Sequence, residues 1–384
     1  MNERLRIGFI PLCDAAALMI AVDKGFCAQE KLDVELIREV SWSNVRDKLN
    51  IGIFDAAHLI APIAIASSLG LGHVKVPIIA PVALGINGNA ITVSPALYRA
   101  LAAEAGDGII DPLKTAQALA RLVAERKRKG EAPFTFGMTF PYSTHNYHLR
   151  FWMAAGGIDP DEDVRLVVLP PPYMVDSLAS KQVDGFCVGA PWNSVAVDQN
   201  VGHILHFMSD ILASASEKVL ALRQTWANEN PDVVTRLIRA HHRAAQFADD
   251  LANRDEVCNI LAAPNRIGIA AEVIRRTLDG KLKVAPDGTT RESTRYLQIG
   301  RNGAARPNPV HAAWLYAQMV RWRQAPLSAA LLAQARAVFR PDLYDAVTGT
   351  SAQPATGEPA DSVGAFAGPA FDEGDLAKYL AAWR

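Results

Sequence analysis

The 384-residue chain carries 39 Lys and Arg against 40 Asp and Glu, a formal charge of −1, which gives neither nucleic acid nor an anionic membrane an electrostatic footprint to bind directly. Half of the residues are hydrophobic and 21% are charged, a balance that builds sizeable cores and excludes a disordered chain. The length exceeds one ordinary core, so two lobes are expected.

The opening residues pass into an apolar strand at 5–10 without the long hydrophobic stretch of a secretory signal, so a cytoplasmic protein is expected. A loop at 11–14 leads to a helix at 15–24, which Gly25 ends in the manner of a helix C-terminal glycine. A strand at 32–38 precedes a loop holding Ser41, Trp42 and Ser43, then a helix at 44–51 and a short strand at 53–54. Asp55 is placed to cap a helix beginning near Ala56. The apolar run 56–71 reads as that buried helix and is too short to span a bilayer. Strands at 76–84 and 90–93 bracket the turn Asn87-Gly88-Asn89.

An exposed helix at 114–129 ends in Arg126, Lys127, Arg128 and Lys129, cations that suit a helix C-terminus better than a nucleic-acid patch. A strand at 134–139 opens into a loop at 140–144, and a helix at 145–155 follows. Strand 165–169, helix 174–179, strand 185–188 and helix 192–199 continue the alternation, the pattern of an α/β fold with mainly parallel sheets. Strand 219–223 returns the chain to the first lobe, and helices follow at 231–253 and 255–262. Residues 281–309 lose periodicity. The stretch 348–368 is rich in Gly, Ala, Pro and Ser and reads as a flexible linker before a last helix at 376–383. The expected division is therefore lobe I at 1–93 plus 215–345, lobe II at 94–214, and a linker with a C-terminal tail at 346–384.

The phosphate-cradling strings GxGxxG and GxxxxGK[ST], the HExxH zinc motif and the Gly-x-Ser-x-Gly elbow are all missing, so no catalytic residue, cofactor or metal is expected. Cys13, Cys27, Cys187 and Cys258 lack CxxC spacing and read as buried, reduced thiols. His241 and His242 are adjacent on a helix, point to different faces and read as surface residues. A strand, a loop of small or hydroxylic residues and a helix start recur at Asp55, at Ser143-Thr144-His145 and at Gly189-Ala190-Pro191-Trp192. Helix N-termini present free N–H groups, so several converging on one cleft suit a small anion, although ordinary capping gives the same pattern. Trp42 and Trp192 in loops are candidate ligand walls, with core packing as the alternative. His145 at a helix start and Lys218 just before a strand are candidate donors of charge and hydrogen bonds.

At these residues the sequence resembles the nitrate- and bicarbonate-binding proteins of cyanobacterial transporters, members of the type II periplasmic-binding-protein class. The matching stretches include Arg6-Ile7-Gly8-Phe9-Ile10 with Asp14-Ala15-Ala16, Ser41-Trp42 with Arg46-Asp47, Asp55-Ala56-Ala57-His58 and Asn87-Gly88-Asn89. Further on come Ser143-Thr144-His145, Phe186-Cys187-Val188-Gly189 with Pro191-Trp192, and Glu217-Lys218, in order through roughly the first 230 residues. The resemblance implies a two-lobed fold with the anion between the lobes, held by Trp42, Asn89, His145, Gly189 and Lys218. Asn89 stands where the family pattern has glutamine, which shortens an amide donor. Ala190 stands where the bicarbonate binders have a glutamate associated with calcium, which argues against calcium and bicarbonate.

With no signal sequence read at its start, the chain resembles the cytoplasmic nitrate/nitrite sensor of the NasS type. That likeness implies a partner, an RNA-binding antitermination regulator of the NasT type with an ANTAR domain, released when nitrate or nitrite binds. Two alternatives stand beside it. One is the solute-binding protein of an ABC-type nitrate transporter; the other is an enzyme resembling thiamine-pyrimidine synthases, whose cysteine-rich iron motif this chain lacks, since Cys187 stands alone.

Overall fold

The computed structural model describes residues 4–350 and 362–383. In chain order its strands are β1 (Leu5–Phe9), β2 (Val34–Arg38), β3 (Ala56–Ile60), β4 (Ile78–Asn87), β5 (Asn89–Val93), β6 (Thr135–Met138), β7 (Arg165–Val168), β8 (Gly185–Gly189), β9 (His203–Phe207), β10 (Ser216–Arg223), β11 (Lys281–Lys283), β12 (Thr290–Glu292) and β13 (Leu297–Gln298). They form a six-stranded sheet in the order β13-β4-β10-β3-β1-β2 and a five-stranded sheet in the order β7-β6-β8-β5-β9, with β11 and β12 as a separate ribbon. Each larger sheet is the centre of one lobe, and helices flank it. The sheets are mixed rather than mainly parallel. β10 runs antiparallel to β3 and β4, and β5 runs antiparallel to β8 and β9, because these are the strands on which the chain crosses between lobes.

The run Ala56–Ile60, expected as the start of a helix, is instead a strand between β1 and β10, with all five residues buried. A short wholly apolar run satisfies a buried strand and a buried helix equally, and the free sheet position decided it. The helix begins at Ala61 and runs to Leu69. Asp55 caps no helix; its Oδ2 accepts the Arg6 N–H at 2.8 Å and steadies the entry to β1.

β5 belongs to the second sheet, so the first crossing lies at Gly88 rather than after Val93. The Asn87-Gly88 turn has positive φ at both residues, +60° and +94°, and a Cβ on Gly88 would sit 2.9 Å from Leu297 Cδ1. Glycine alone meets both demands. The second crossing lies between Phe207 and Ser216. Asn87 ties the two together. Its backbone N–H donates to Ala215 O, its Oδ1 accepts from Ala215 N–H, and its Nδ2 donates to Ala213 O.

Part of the expected linker, 351–361, lies outside the described residues. The segment that follows is no free tail. Ala213 and Ser214 N–H groups donate to Gly364 O and Val363 O, and Phe366 N–H to Ile211 O, against the second crossing. Phe366 and Trp383 meet Phe151 edge-on in lobe II, while Trp383 also receives the Arg321 guanidinium 3.8 Å from its ring centroid. Aromatic burial on this scale outweighs the entropy that a Gly- and Pro-rich composition suggests.

The four cysteines are buried and free. His241, expected at the surface, is buried, with its Nδ1 2.7 Å from Leu237 O, and the partly buried His242 pairs with the Tyr344 hydroxyl at 2.6 Å. The long helix Pro231–Asp249 lies between the sheet and other helices, so more than one of its faces is covered.

Burial holds several imidazoles neutral: His148 and His206 are pushed down to about 3, and His241 and His311 to about 4. Unfolding returns each to about 6.5, so below that pH the unfolded chain binds more protons. Stability is therefore expected to fall steadily as pH drops from 6.5 towards 4, each such group contributing up to about 1.4 kcal/mol per pH unit. Urea titrations at pH 7.5, 5.5 and 4.5 measure this, and an unchanged midpoint across the series would contradict it.

Candidate functional site

The cleft is organised around one buried ammonium. Lys218 is carried within β10, not in a loop before it. Ser216 pairs with Ile86 and Lys218 with Gly85, so Glu217 is an extra residue in a bulge. Neighbours in a regular strand face opposite sides. The bulge bends the strand, and both charged side chains reach the same place. Lys218 Nζ lies 2.8 Å from Glu217 Oε1 and 3.0 Å from Asp14 Oδ2, with all three residues buried. Asp14 sits in the short turn Cys13–Ala15 after β1, and its other oxygen lies 2.9 Å from His58 Nε2 on β3. The second oxygen of Glu217 accepts from Thr144 Oγ1, the first residue of the helix Thr144–Ala155 in lobe II.

Burial opposes the charge on Asp14, but the Lys218 ammonium and the His58 hydrogen bond outweigh it and hold the carboxyl at about 2. Burial equally opposes the Lys218 charge, and the two carboxylates reverse the effect, raising it above the ordinary lysine value. Burial, reinforced by Lys218, pushes His145 well below the usual imidazole range, so its ring is neutral. Burial also lowers His58 despite the Asp14 contact.

All five residues singled out from the sequence come together here. Trp42 opens the helix Trp42–Asn50 rather than lying in a loop, and its ring centroid is 5.3 Å from Lys218 Nζ. Ser41 caps that helix by accepting the Asn44 N–H. Asn89 on β5 pairs with Gly189 at the end of β8. A Cβ on Gly189 would lie 3.4 Å from Asn89 Oδ1 and 3.5 Å from Asp14 Oδ2, so the missing side chain keeps that wall back. His145 Nδ1 is 2.9 Å from Thr139 Oγ1, while Nε2 lies 3.4 Å from Glu217 Oε1 without hydrogen-bond alignment. Trp192, at the start of the helix Trp192–Asp198, is also largely buried.

Trp42 Nε1, both side-chain atoms of Asn89 and His145 Nε2 are buried with no hydrogen-bond partner in the protein. Leaving such groups unmade costs about 1–3 kcal/mol each. An indole N–H and an amide gathered near one ammonium supply donors for a small oxyanion, with an unpartnered imidazole nitrogen beside them. Sequence reasoning passed over Asp14, His58, Glu217, Thr139 and Thr144 as parts of this cluster. The signal available was Glu217-Lys218, two adjacent charges leading into the apolar run Val219–Leu222 of a central strand, which only a buried ion pair accommodates. Among the described residues no group of three or more His, Cys, Asp or Glu side chains is placed to hold a metal ion.

Two lobes linked by two crossing segments, with a polar site between the sheets, define the fold of a type II periplasmic-binding protein. The NMT1-like family model matches residues 1–262, and the chain belongs to that family. It is 32% identical over 330 residues to the nitrate/nitrite binding protein NrtA of Nostoc sp., covering 85% of this chain and 72% of the relative. It is 35% identical over 345 residues to the nitrate import ATP-binding protein NrtC of Synechocystis sp., and there covers 88% of this chain but only 49% of the relative. The chain thus spans about half the length of that ATP-binding relative. The crystal structure of the periplasmic nitrate-binding protein NrtA from Synechocystis superposes with a TM-score of 0.87 at 28% identity, covering 99% of this chain and 98% of the other.

The ion cluster carries a stability consequence of its own. Lys218→Ala leaves two carboxylates buried without their cation and is expected to destabilise the ligand-free protein by about 3–5 kcal/mol. Adding Glu217→Gln removes one stranded charge and should return part of that loss. Urea unfolding of the single and double variants measures the coupling; a single variant as stable as the wild type would show that the charges are solvated.

Proposed function

We propose that the chain binds nitrate or nitrite between its lobes, as the solute-binding component of an ABC-type importer. The observation that carries this reading is the set of unpartnered polar groups around Lys218, donors on Trp42 and Asn89 with the Nε2 nitrogen of His145, in a family whose relatives are named as nitrate/nitrite binding proteins. A planar, weakly hydrated monoanion suits a few directional donors, one cation and a flat aromatic wall. Asn89 occupies the amide position with a side chain one methylene shorter than glutamine, and both of its polar atoms are buried and unpartnered. Ala190 offers no carboxylate, which supports anion binding that is independent of calcium.

The cytoplasmic sensor reading uses the same site and differs only in the partner, an ANTAR-type regulator of the NasT type released on binding. The names of the relatives favour the importer. Co-purification with such a regulator, with and without nitrate, separates the two readings, since a complex that nitrate dissolves would favour the sensor.

Nitrate at about 100 times its dissociation constant is expected to add about 2.7 kcal/mol of stability. Differential scanning calorimetry with nitrate, nitrite, bicarbonate and sulfate, each with and without calcium, checks this. Stabilisation only by bicarbonate with calcium would overturn the assignment.

A further inference from the structure

The charges in the cleft do not balance for an anion. Lys218 is one positive charge; Asp14 and Glu217 are two negative ones within 3.0 Å of it. All three are buried; Glu217 accepts one of the three ammonium N–H groups, and Asp14 lies beside the ammonium as an ion pair. A monoanion entering this space would make three negative charges against one positive. Each like-charge contact made in a buried, poorly screened site opposes binding. Hydrogen bonds from Trp42 and Asn89 supply donors but no charge.

We propose that the anion enters the cleft together with one proton, which is held on His145, so that the site takes a monoanion and a proton as a pair and refuses dianions such as sulfate. The inference rests on the nitrate/nitrite reading above. His145 is the group the geometry selects. Its Nδ1 is engaged by Thr139 Oγ1, and its Nε2 is buried, unpartnered and 3.4 Å from Glu217 Oε1. In the empty site that nitrogen has nothing to gain from a proton beyond a misaligned carboxylate, and burial and Lys218 oppose it. With an anion beside it, the same proton would sit between Glu217 and the ligand and satisfy both. The proton comes from solvent and returns there on release; no covalent bond to the ligand changes.

The charged and titratable groups around His145 allow no better holder. Asp14 is already ion-paired with Lys218 and hydrogen-bonded to His58. Glu217 is fixed by Lys218 on one oxygen and Thr144 on the other. His58 has its Nε2 on Asp14 and its Nδ1 facing the Ile10 N–H. His148, on the same helix as His145, is buried and held neutral, and it packs towards Trp314, with ring centroids 6.4 Å apart. The Cys187 thiol is buried and pushed up by that burial and by Glu217. The carboxylates thereby become determinants of specificity: each subtracts charge that a dianion would need.

Isothermal titration of the full chain with sodium nitrate at pH 7.5, in two buffers of different ionisation enthalpy, counts the protons directly. The expected result is proton uptake on nitrate binding, with affinity falling as pH rises through the bound-state titration of His145, by at most about tenfold per pH unit. Binding with no proton uptake and a flat pH profile overturns the inference while leaving the nitrate reading standing; no nitrate binding at all defeats that reading instead. His145→Gln keeps a hydrogen-bond donor without a titratable ring and should abolish uptake, whereas uptake that persists in it overturns the role of His145. Glu217→Gln gives the occupied site the charge of the empty wild type, so it should bind nitrate without a proton and with a flat pH profile. Uptake undiminished in this variant also overturns the proposal, and sulfate binding gained by it supports the specificity role. Should His145→Gln lose affinity altogether, the wild-type proton count and pH profile still decide.

Discussion

Everything at the centre of this molecule depends on how a lysine can be buried. Lys218 has no exposed surface and lies on a central strand, where an unpaired ammonium would shed its charge. Its two carboxylate partners reach it by different routes, Asp14 from the turn after β1 and Glu217 through a bulge in its own strand. Both partners are then fixed in turn, Asp14 by His58 and Glu217 by Thr144. Buried ion pairs of this kind contribute little net stability compared with an apolar replacement. Their retention here makes sense as function: the network leaves one ammonium face, the Trp42 and Asn89 donors and one imidazole nitrogen unspent.

The same network joins the lobes. Asp14, His58 and Lys218 belong to the first sheet and its loops, whereas Thr144, His145, Asn89 and Gly189 belong to the second. Glu217 links the two sets, and next to them the Cys13 N–H donates to Ala190 O. Away from the site, Asn87 knits the two chain crossings into one unit, and Arg46 lies over the Phe140 ring across the mouth of the cleft. Motion between lobes would therefore turn about Asn87-Gly88 and break contacts at Glu217, which couples opening to exposure of the charged site.

The C-terminal segment adds a third tie. It lies against the second crossing and against both lobes, and His311 links it to β10. The imidazole takes Ser362 O on one nitrogen and Ser216 Oγ on the other, one residue from the Glu217 bulge. A segment whose composition suggests a tether is held by aromatic contacts from Phe151 and Arg321.

The sequence by itself determined the alternation of strands and helices, the helix start at Ser143-Thr144-His145, and the order of the binding motifs, because periodicity and capping are local properties carried by neighbouring residues. It also pointed to Trp42, Asn89, His145, Gly189 and Lys218. Three matters were decided only by tertiary structure. Ala56–Ile60 became a strand because a gap between β1 and β10 accepted it; its apolar composition fitted either state. Asn89–Val93 joined the second sheet because its partners, β8 and β9, lie over a hundred residues away in part and leave no local trace. Asp14 and Glu217 became the partners of Lys218 because a bulge and a turn aim them inward, and strand alternation alone would have sent Glu217 to the opposite face from its neighbour.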